Sequence, residues 1–512
     1  MKGKVWLVGA GPGDLGLFTI KGKEILKRAE VVVYDRLVGD SILSLIPQNA
    51  KQVDAGKCAG THTMAQEQIN QTLLKEAQQG KRVVRLKGGD PFLFGRGGEE
   101  LELLAKEGIP FEVVPGVTSA FAVPAYCGIP VTHREYASSV HVITGHKKKD
   151  EPLQLDFEAL VRLSGTLVFL MGVSALSDIC QGLLAAGMDP KMPAAVLQQG
   201  TKAGQKKILS DLEHLPIEVK RQGVETPAIV LVGKVCTLGN EFEWYERLPL
   251  FGNKILVTRP KGRSGTISAK LRSLGAEVLE LPAIRTECIP DHRRLWEEFA
   301  RLSDYQYLVF TSPAGVCQFF DKLRQAGKDI RSLGTAKLCA IGPGTRQELA
   351  ARGLLCDHMP EVYDGAHLGI LLGKVCREKD KILIPRAEKG NPQLIEEIQK
   401  RVDVEITDLP IYQTIYENPS EWMDEKSQIE NGKISMAVFT SASTVHGFAK
   451  ATEGLDYSLV HAVCIGVQTE AAAKKLGMRT VVSEKATIDS LVDACVKMAQ
   501  SDIWFRRQNV WN

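Results

Sequence analysis

The chain has 512 residues, which is too many for one hydrophobic core and predicts about three or four domains. Its 44% hydrophobic and 24% charged residues are typical of globular proteins, and a net charge of +3 argues against a dedicated nucleic-acid binder. The eleven cysteines contain no C-x-x-C pair, which indicates neither a zinc site nor a disulfide framework. No apolar run approaches the ~18 residues that span a membrane, and the first residues lack the apolar segment of a signal peptide. We therefore expect a cytoplasmic protein without metal or membrane association.

Strand-like and helix-like segments alternate along the first half of the chain. Short buried strands are predicted at Val5–Val8, Val31–Tyr34, Val83–Leu86, Val140–Ile143, Thr166–Leu170, Ala194–Leu197 and Ala228–Val232. Helical patterns lie between them, for example at Thr19–Arg28 and Gln66–Gln79. This alternation predicts an α/β fold with largely parallel sheets. The aromatic segment Glu241–Asn253 breaks the pattern, and we interpret it as the main linker before a strand that begins at Lys254.

The second half contains a degenerate internal repeat. Val309-Phe-Thr-Ser312 is followed by Ile341-Gly-Pro-Gly-Thr345, and Val438-Phe-Thr-Ser441 is followed by Ile465-Gly-Val-Gln-Thr469. Two copies about 125 residues apart predict two similar α/β lobes rather than a solenoid. The serine and threonine side chains either cap the helices that follow or bind a ligand at the carboxyl ends of the strands. The duplication favours a paired binding role.

A glycine-rich turn, Gly9-Ala-Gly-Pro-Gly-Asp14, follows the first strand. One interpretation is a nicotinamide dehydrogenase, in which Asp35 at the end of the second strand would bind a ribose. Two residues argue against it. Pro12 has no N–H to donate to a phosphate, and the carboxylate of Asp14 would repel a pyrophosphate at the helix start. The turn alone does not identify the ligand.

A second pair of glycines follows the strand at Val83–Leu86. Gly88 and Gly89 would let a ligand approach the backbone, and Asp90 adds a carboxylate at the same edge. Carboxylates repel an anionic cofactor, whereas a sulfonium cation tolerates them. The segment is therefore compatible with a cationic cofactor.

Six segments, in this order, resemble the uroporphyrinogen-III C-methyltransferase family: Gly9–Asp14, Val32–Leu37, Val83–Phe92, Gly95–Glu100, Val114–Ala120 and Gly128–Arg134. The resemblance covers residues 1–245 and implies two α/β lobes, about 1–112 and 113–245, around a cleft. It also implies a homodimer that transfers two methyl groups from S-adenosylmethionine to uroporphyrinogen III, giving precorrin-2. By motif, the cofactor pocket is expected to contain Pro12, Gly88, Gly89, Asp90, Thr118, Ser119, Met171, Gly200 and Ala228.

Methylation of a pyrrole carbon needs an aligned methyl donor and a base that removes a macrocycle proton. The resemblance marks Asp35 as the candidate proton acceptor and Lys57 as the candidate proton donor. Arg96 and Glu99 offer a rival assignment, because their i, i+3 spacing places both on one helix face. Arginine is a poor base since its pKa is very high, so we interpret Arg96 as a ligand for a substrate carboxylate.

The macrocycle is rich in carboxylates, so arginines are expected around the cleft. The candidates are Arg36, Arg85, Arg96 and Arg134, and for each the alternative is a surface or ion-paired arginine. His133 is either an acid or a hydrogen-bonded residue of the core.

Residues 253–505 are similar to uroporphyrinogen-III synthases. The supporting segments are Val257–Pro260, Val309–Pro313, Ile341–Thr345, Ile384–Ala387, Ile411–Thr414, Val438–Ser441 and Ile465–Thr469. The similarity implies two α/β lobes that close hydroxymethylbilane and invert its last ring without a cofactor. Tyr412 is then the candidate acid for the departing hydroxyl, with a half-buried strand tyrosine as the alternative. Substrate contacts are expected from Arg259, Arg386, Ser312, Ser441 and Thr469.

The predicted organisation is a C-methyltransferase over residues 1–245, a linker over 246–252 and a synthase over 253–505, both acting on small tetrapyrrole substrates. Two alternatives remain. A nicotinamide dehydrogenase would be revealed by binding of its cofactor. A C-terminal half that only binds tetrapyrroles would hold the macrocycle but fail to cyclise the bilane.

Overall fold

A computed structural model describes residues 2–56, 64–145, 153–259, 265–289, 293–416 and 423–509. The chain divides into two compact units, Met1–Ile255 with Ser268–Glu280 and Leu256–Ile267 with Leu281–Asn512. Both contain helices and sheets, which confirms the predicted α/β class. In the part of the chain that is described, no helix combines the length and the apolar composition needed to cross a lipid bilayer.

The first sheet is built entirely of parallel strands in the order β3-β2-β4-β1-β5. Its strands are β1 (Lys4–Gly9), β2 (Val31–Tyr34), β3 (Lys51–Asp54), β4 (Arg82–Lys87) and β5 (Phe111–Val114). The helices that follow its strands are α1 (Ile20–Leu26), α2 (Asp40–Leu43), α3 (Gln66–Gln78) and α4 (Gly97–Lys106). Because all strands run the same way, the loops after β1, β2 and β4 meet at one edge of the sheet.

The second sheet has the order β6-β7-β10-β8-β9. Its strands are β6 (Val140–Thr144), β7 (Thr166–Leu170), β8 (Pro193–Gln198), β9 (Lys206–Asp211) and β10 (Ala228–Val232), and the accompanying helices are α5 (Ser119–Tyr126), α6 (Phe157–Arg162), α7 (Leu176–Ala185) and α8 (Leu215–Arg221). Only β6 and β7 pair in parallel, and the other three pairs are antiparallel. The prediction of a largely parallel sheet is therefore wrong here. The connection Gln199–Gln205 is too short for a crossover, so β8 and β9 pair as a hairpin.

Helices cover both faces of the first sheet, and the strands alternate between two apolar clusters. Val32 and Val84 pack into one cluster, whereas their neighbours Val31 and Val83 pack into the other. Strands buried on both faces are expected to be continuously apolar, as these valine-rich segments are. This packing fixes the strand ends from which the loops of the candidate site emerge.

Ten further strands form two more five-stranded sheets, with orders β12-β11-β18-β19-β20 and β13-β17-β16-β14-β15. They are β11 (Lys254–Val257), β12 (Glu277–Glu280), β13 (Ile284–Cys288), β14 (Tyr307–Phe310), β15 (Lys337–Ala340), β16 (Lys381–Ala387), β17 (Glu405–Tyr416), β18 (Met436–Phe439), β19 (His461–Cys464) and β20 (Arg479–Val482). The helices are α9 (Gly265–Ser273), α10 (Arg293–Ala300), α11 (Pro313–Gln325), α12 (Pro343–Ala350), α13 (Gly365–Val375), α14 (Gln393–Gln399), α15 (Met423–Glu430), α16 (Ala442–Ala451), α17 (Val467–Lys475) and α18 (Ile488–Asn509).

The predicted internal repeat is confirmed as two copies of one strand–helix–strand–helix unit. In the first copy α11 follows β14 and α12 follows β15, and the two strands pair in parallel. In the second copy α16 follows β18 and α17 follows β19, and these strands also pair in parallel. Ser312 and Ser441 are the N-caps of α11 and α16. Gly353 and Gly477, just past α12 and α17, have φ of +76° and +87°, the left-handed conformation common after helix ends.

Candidate functional site

A cavity of about 700 Å³ is lined by loops from both sheets of the first unit. Its first wall consists of lining residues between positions 11 and 96, mainly the loops after β1, β2 and β4, and its second wall of lining residues between 118 and 229. The nine residues that were predicted to contact a cofactor all line this cavity: Pro12, Gly88, Gly89, Asp90, Thr118, Ser119, Met171, Gly200 and Ala228. The first wall lies at the carboxyl edge of a parallel sheet, where α/β proteins bind ligands.

Glycines let backbone segments approach closely beside the cavity. Gly89 N donates to Gly11 O over 2.8 Å, and Gly11 N donates to Gly89 O over 3.1 Å. A Cβ atom on Gly116 would lie 2.2 Å from the carbonyl oxygen of Gly89, so no larger residue fits there. Gly89 has φ of +67°, and a Cβ atom added to it would meet nothing within 4 Å. This open space against bare backbone suits a ligand that packs on the loop.

Non-glycine residues with left-handed backbone conformation cluster around the cavity. Seven occur among the described residues, and four of them, Phe94, Arg96, Met171 and Gln199, line the cavity. Each such conformation costs on the order of 1 kcal/mol, which the surrounding fold must offset. Because strain of this kind concentrates at binding and catalytic sites, it supports this cavity as the functional site.

Asp35 lies directly after β2, with its carboxylate beside the loop that carries Gly88. Its Oδ1 accepts hydrogen bonds from the backbone N–H of Leu37 at 3.0 Å and of Gly88 at 3.3 Å. Nη2 of Arg85 is 3.7 Å from its Oδ2. The side chain lines the cavity and remains 27% exposed. A carboxylate fixed in this way can accept a proton from a ligand without first reorienting.

Two buried cations, Arg85 and Lys87, share one buried carboxylate. Arg85 Nε and Lys87 Nζ donate to Oε1 of Glu100 over 3.0 and 2.7 Å. Burial, and secondly repulsion from Arg85, lowers the pKa of Lys87. Arg85 is thus engaged inside the protein rather than free to clamp a substrate. Lys87 and Glu100 were not predicted as site residues from the sequence. The available signal for Lys87 was that two cations, Arg85 and Lys87, occupy alternate positions at the end of a buried strand.

Arg96 and Glu99 pair with each other at the start of α4. Arg96 donates to both oxygens of Glu99, with Nε 2.9 Å from Oε1. This hydrogen bonding raises the pKa of Arg96 and lowers the pKa of Glu99. Arg96 therefore stays charged, which favours binding of an anion over action as a base. Arg96 lines the cavity and Glu99 does not, so of the two candidate carboxylates, Asp35 and Glu99, Asp35 is the one that borders the cavity.

Two of the predicted cofactor residues use their side chains within the protein. Asp90 accepts from the backbone N–H of Phe92 at 2.8 Å and of Gly116 at 3.0 Å. Thr118 caps α5 by accepting from the N–H of Ala120 at 3.2 Å. These bonds fix the loops that line the cavity.

The remaining predicted residues of the first half lie in different surroundings. Arg36 is exposed, lines the cavity and has no hydrogen-bond or ion-pair partner among the described residues. Arg134 is exposed too, but the structure does not place it in the cavity lining. His133 accepts from the N–H of Glu135 through Nδ1, which favours a structural role. Lys57 lies outside the described residues.

Sequence reasoning also missed Lys202, which lines the second wall. It follows the predicted Gly200 by two positions in a turn where both Gln199 and Thr201 have positive φ. The signal available in the sequence was a lysine directly after the Gly-Thr pair that follows an apolar strand. Within the described segments, no group of three or more His, Cys, Asp or Glu residues is placed to hold a metal ion.

Two of the residues predicted for the second half are in contact. Tyr412 lies in β17, is 6% exposed, and has its hydroxyl 2.8 Å from Oγ of Ser312. The same Oγ accepts from the backbone N–H of Gly315 at 2.9 Å, which caps α11. Capping and the contact with the tyrosine are therefore combined in one serine oxygen.

The other predicted residues of the second half are largely engaged within the protein. Arg386 binds Asp408 through two hydrogen bonds of 2.7 and 2.6 Å and also donates to a backbone carbonyl, so its guanidinium has a structural partner in place of the predicted substrate carboxylate. Ser441 caps α16 and bonds to a neighbouring serine. Thr469 is buried in the first turn of α17, and Arg259 lies two residues after β11.

Two family models match the chain. The model of tetrapyrrole (corrin/porphyrin) methylases matches residues 4–216, and the model of uroporphyrinogen-III synthase HemD matches residues 265–493. Eight of the nine predicted lining residues lie in the segment that the methylase model matches; Ala228 and its lining neighbours Thr226, Pro227 and Ile229 follow that segment.

Individual relatives match the chain over different lengths. The porphyrin biosynthesis protein HemD of Ruminiclostridium josui is 45% identical over 502 residues, covering 98% of this chain and 99% of that protein. The uroporphyrinogen-III C-methyltransferase of Bacillus subtilis (strain 168) is 42% identical over 355 residues, covering 69% of this chain and 72% of that protein. The crystal structure of uroporphyrin-III C-methyl transferase from Thermus thermophilus complexed with S-adenyl homocysteine is 38% identical, covers 46% of this chain and 93% of that chain, and gives a TM-score of 0.39.

Proposed function

The chain belongs to the family of fused tetrapyrrole methylases and uroporphyrinogen-III synthases, and from this premise we propose that it performs two consecutive reactions. The C-terminal half cyclises hydroxymethylbilane to uroporphyrinogen III. The N-terminal half methylates uroporphyrinogen III twice with S-adenosylmethionine, giving precorrin-2. Since the product of the first reaction is the substrate of the second, fusion raises its local concentration.

The observation that carries the methylation is the cavity, in which Asp35 lies together with the nine predicted cofactor residues. The residues present fit S-adenosylmethionine. Gly89 leaves open space against bare backbone, Leu170, Met171 and Ile229 supply apolar surface, and the carboxylate of Asp35 suits a cation. When bound, this cofactor supplies an electrophilic methyl group. The backbone of Gly88 and Gly89 and the side chain of Met171 are the groups that would hold it.

The residues of the first wall bind the macrocycle and accept its proton. Arg36 and Arg96 bind carboxylates of the macrocycle, because each presents a guanidinium at the cavity. Arg96 is paired with Glu99, but unlike Arg85 it is 56% exposed and keeps N–H groups that do not bond to its partner. The ring carbon that receives the methyl group carries no hydrogen, so the proton is lost from another carbon of the macrocycle once the new carbon–carbon bond has formed. Asp35 accepts that proton, and the electron pair of the broken C–H bond neutralises the positive charge of the ring system. Positioning of the macrocycle against the methyl donor supplies much of the rate.

In the second half, Tyr412 acts as the acid that protonates the departing hydroxyl of hydroxymethylbilane, which leaves as water. Ser312 holds the phenol through the 2.8 Å contact between the two hydroxyl oxygens. A second candidate function is that this half binds the macrocycle without closing it. The burial of Tyr412 and the pairing of Arg386 with Asp408 favour that alternative.

Both activities are tested by supplying hydroxymethylbilane anaerobically, with and without S-adenosylmethionine. Without the donor we expect the type III isomer above the spontaneous type I background, and with it a product heavier by two methyl groups. If only the type I macrocycle formed, while supplied uroporphyrinogen III was methylated, the second half would be a binding module. If supplied uroporphyrinogen III was not methylated either, the proposed function of the first half would be wrong.

A further inference from the structure

The second wall of the cavity carries a single charged residue among those described. Between positions 118 and 229 the lining residues are apolar or neutral, apart from Lys202. The first wall, in contrast, contains Arg36, Arg85, Lys87 and Arg96, and all of these except Arg36 are paired with carboxylates of the protein. Each wall therefore presents one cation that the protein itself does not neutralise.

Lys202 is half-buried, and its ammonium group has no hydrogen-bond or ion-pair partner within the described part of the chain. Its carbon stem packs against Gly13, where an added Cβ atom would lie 2.5 Å from Cε of the lysine. Gly13 has φ of +146°, so a larger residue would be strained there and would displace the lysine stem. The stem thus lies against the loop after β1, while the charged end has no partner among the described residues.

The turn that carries Lys202 is also fixed. The backbone N–H of Lys202 donates to the carbonyl of Gln199 at 3.2 Å, and its own carbonyl accepts from the N–H of Gln205 at 3.1 Å. Thr201 accepts through Oγ1 from the backbone N–H of Asp14 at 3.2 Å, which ties this turn to the loop after β1. Because the backbone of the turn is already fixed, only the lysine side chain has to be ordered when an anion binds to it.

We propose that Lys202 binds a carboxylate of the ligand that occupies this cavity. The proposal rests on the proposed function, in which both ligands carry carboxylates: the methyl donor has one on its amino-acid portion, and the macrocycle has several on its acetate and propionate arms. A half-buried ammonium without an internal partner is better solvated by such a group than by the apolar wall around it. Lys202 would then complement Arg36 on the opposite wall.

The experiment compares Lys202→Met with Lys206→Met in the full-length protein. Lys206 lies four positions away, is exposed and does not line the cavity, so its variant reproduces the change of charge outside the site. Binding of S-adenosylhomocysteine and of 5′-methylthioadenosine, which lacks the amino-acid portion, is measured by calorimetry. The KM and kcat for uroporphyrinogen III are measured with saturating donor, and Lys202→Arg tests whether restoring the charge restores binding.

If the carboxylate belongs to the methyl donor, Lys202→Met weakens S-adenosylhomocysteine binding about tenfold and leaves 5′-methylthioadenosine binding unchanged. If it belongs to the macrocycle, the variant raises KM about tenfold and leaves both nucleosides unaffected. In either case Lys202→Arg recovers most of the loss. Equal behaviour of Lys202→Met and Lys206→Met in an active enzyme would overturn the proposal alone. A wild-type protein that neither binds the nucleosides nor methylates the macrocycle would overturn the proposed function together with it.

Discussion

Lys87 and Glu100 form a fully buried ion pair, with Nζ 2.7 Å from Oε1. Lys87 ends strand β4 beneath the loop of Gly88, and Glu100 lies in helix α4. Arg85 uses the same oxygen at 3.0 Å. The carboxylate of Glu100 thus supplies most of the negative charge that offsets the two buried cations. The other carboxylate close to them is that of Asp35, 3.7 Å from Arg85. The charge around the candidate base consequently depends on a residue outside the cavity lining.

Replacing Glu100 with Gln should destabilise the first unit by about 3 kcal/mol, because the amide keeps the shape but leaves two buried cations without their counter-charge. Hydrogen exchange of peptides that cover β4, followed in increasing urea, would measure this loss. Glu158→Gln is the matched control, since Glu158 forms an exposed pair with Arg162 at 3.5 Å and should change stability by less than about 0.5 kcal/mol. Equal protection of β4 in both variants would contradict the importance of the buried network.

Asp35→Asn should lower kcat for methylation by about 100-fold or more, because the amide cannot accept the macrocycle proton. Binding of S-adenosylhomocysteine should change by less than about threefold, since the amide oxygen can still accept from the N–H groups of Leu37 and Gly88. Steady-state kinetics and calorimetry measure the two effects separately. Glu99→Gln tests the rival assignment. If Glu99→Gln lost kcat by about 100-fold while Asp35→Asn stayed active, the base would belong to the Arg96–Glu99 pair and not to Asp35.

Met171 combines a strained backbone with a cavity position. Its φ is +56°, and its side chain is 49% exposed at the cavity. Met171→Gly removes the strain and the side chain together, so we expect S-adenosylhomocysteine binding to weaken about fivefold to tenfold, while the free energy of unfolding changes by less than about 1 kcal/mol. Ser164→Gly is the control, because Ser164 has a similar φ of +49° outside the cavity. It should leave binding unchanged; weaker binding in both variants would argue against a direct contact by Met171.

The sequence was informative about the cavity wherever a ligand loop follows a strand directly. Gly88, Gly89 and Asp90 come immediately after β4, and Met171 comes immediately after β7, so predicting the strands also placed these residues at strand ends, and the family resemblance assigned them to the cofactor. Partners brought together by packing were not predictable in this way. Glu100 meets Lys87 across a strand and a helix, and no local pattern encodes that contact.

The second sheet shows the same limit for topology. Alternating strands and helices favoured parallel pairing, but β9 was not recognised, and without it the hairpin between β8 and β9 could not be inferred. Side-chain roles were equally hidden. Arg386 looks the same in the sequence whether it holds a substrate or Asp408, and only the three-dimensional pairing with a residue of the neighbouring strand distinguishes them.

Tyr412→Phe should lower formation of the type III isomer at least tenfold, because the phenol that protonates the leaving hydroxyl is removed. Ser312→Ala should have a smaller effect of the same kind, and both should retain binding of the macrocycle. Product isomers are separated by chromatography after oxidation. Thr487→Ala is the matched control, since Thr487 Oγ1 accepts from the backbone N–H of Ser490 at the start of α18, as Ser312 Oγ does from Gly315 at the start of α11, and no substrate contact is predicted for it. Both capping variants should lose about 1 kcal/mol of stability, so equal loss of activity would indicate a general effect of capping.

His358 should make the stability of the second unit depend on pH. Burial, and secondly the charge of Lys337, lowers the pKa of His358 below its usual value near 6.5, against a weaker opposing effect of Asp357. Its Nε2 is buried without a hydrogen-bond partner among the described residues. His358 is therefore protonated at a higher pH in the unfolded chain than in the folded protein. Its effect on the free energy of unfolding is absent above about pH 6.5, and the free energy of unfolding decreases as the pH falls below that value towards the pKa of the folded protein.

The urea midpoint of the second unit should therefore be lower at pH 5 than at pH 8, and His358→Gln should reduce that difference because glutamine does not titrate. The urea midpoint at each pH is measured by hydrogen exchange of peptides that cover β15, because the N–H of Ala340 in that strand donates to the carbonyl of His358. His446→Gln, at an exposed position of α16, should keep the wild-type dependence. Carboxylates that titrate in the same range affect all three proteins alike, so a pH dependence identical in wild type and His358→Gln would show that the buried imidazole does not destabilise the folded state in acid.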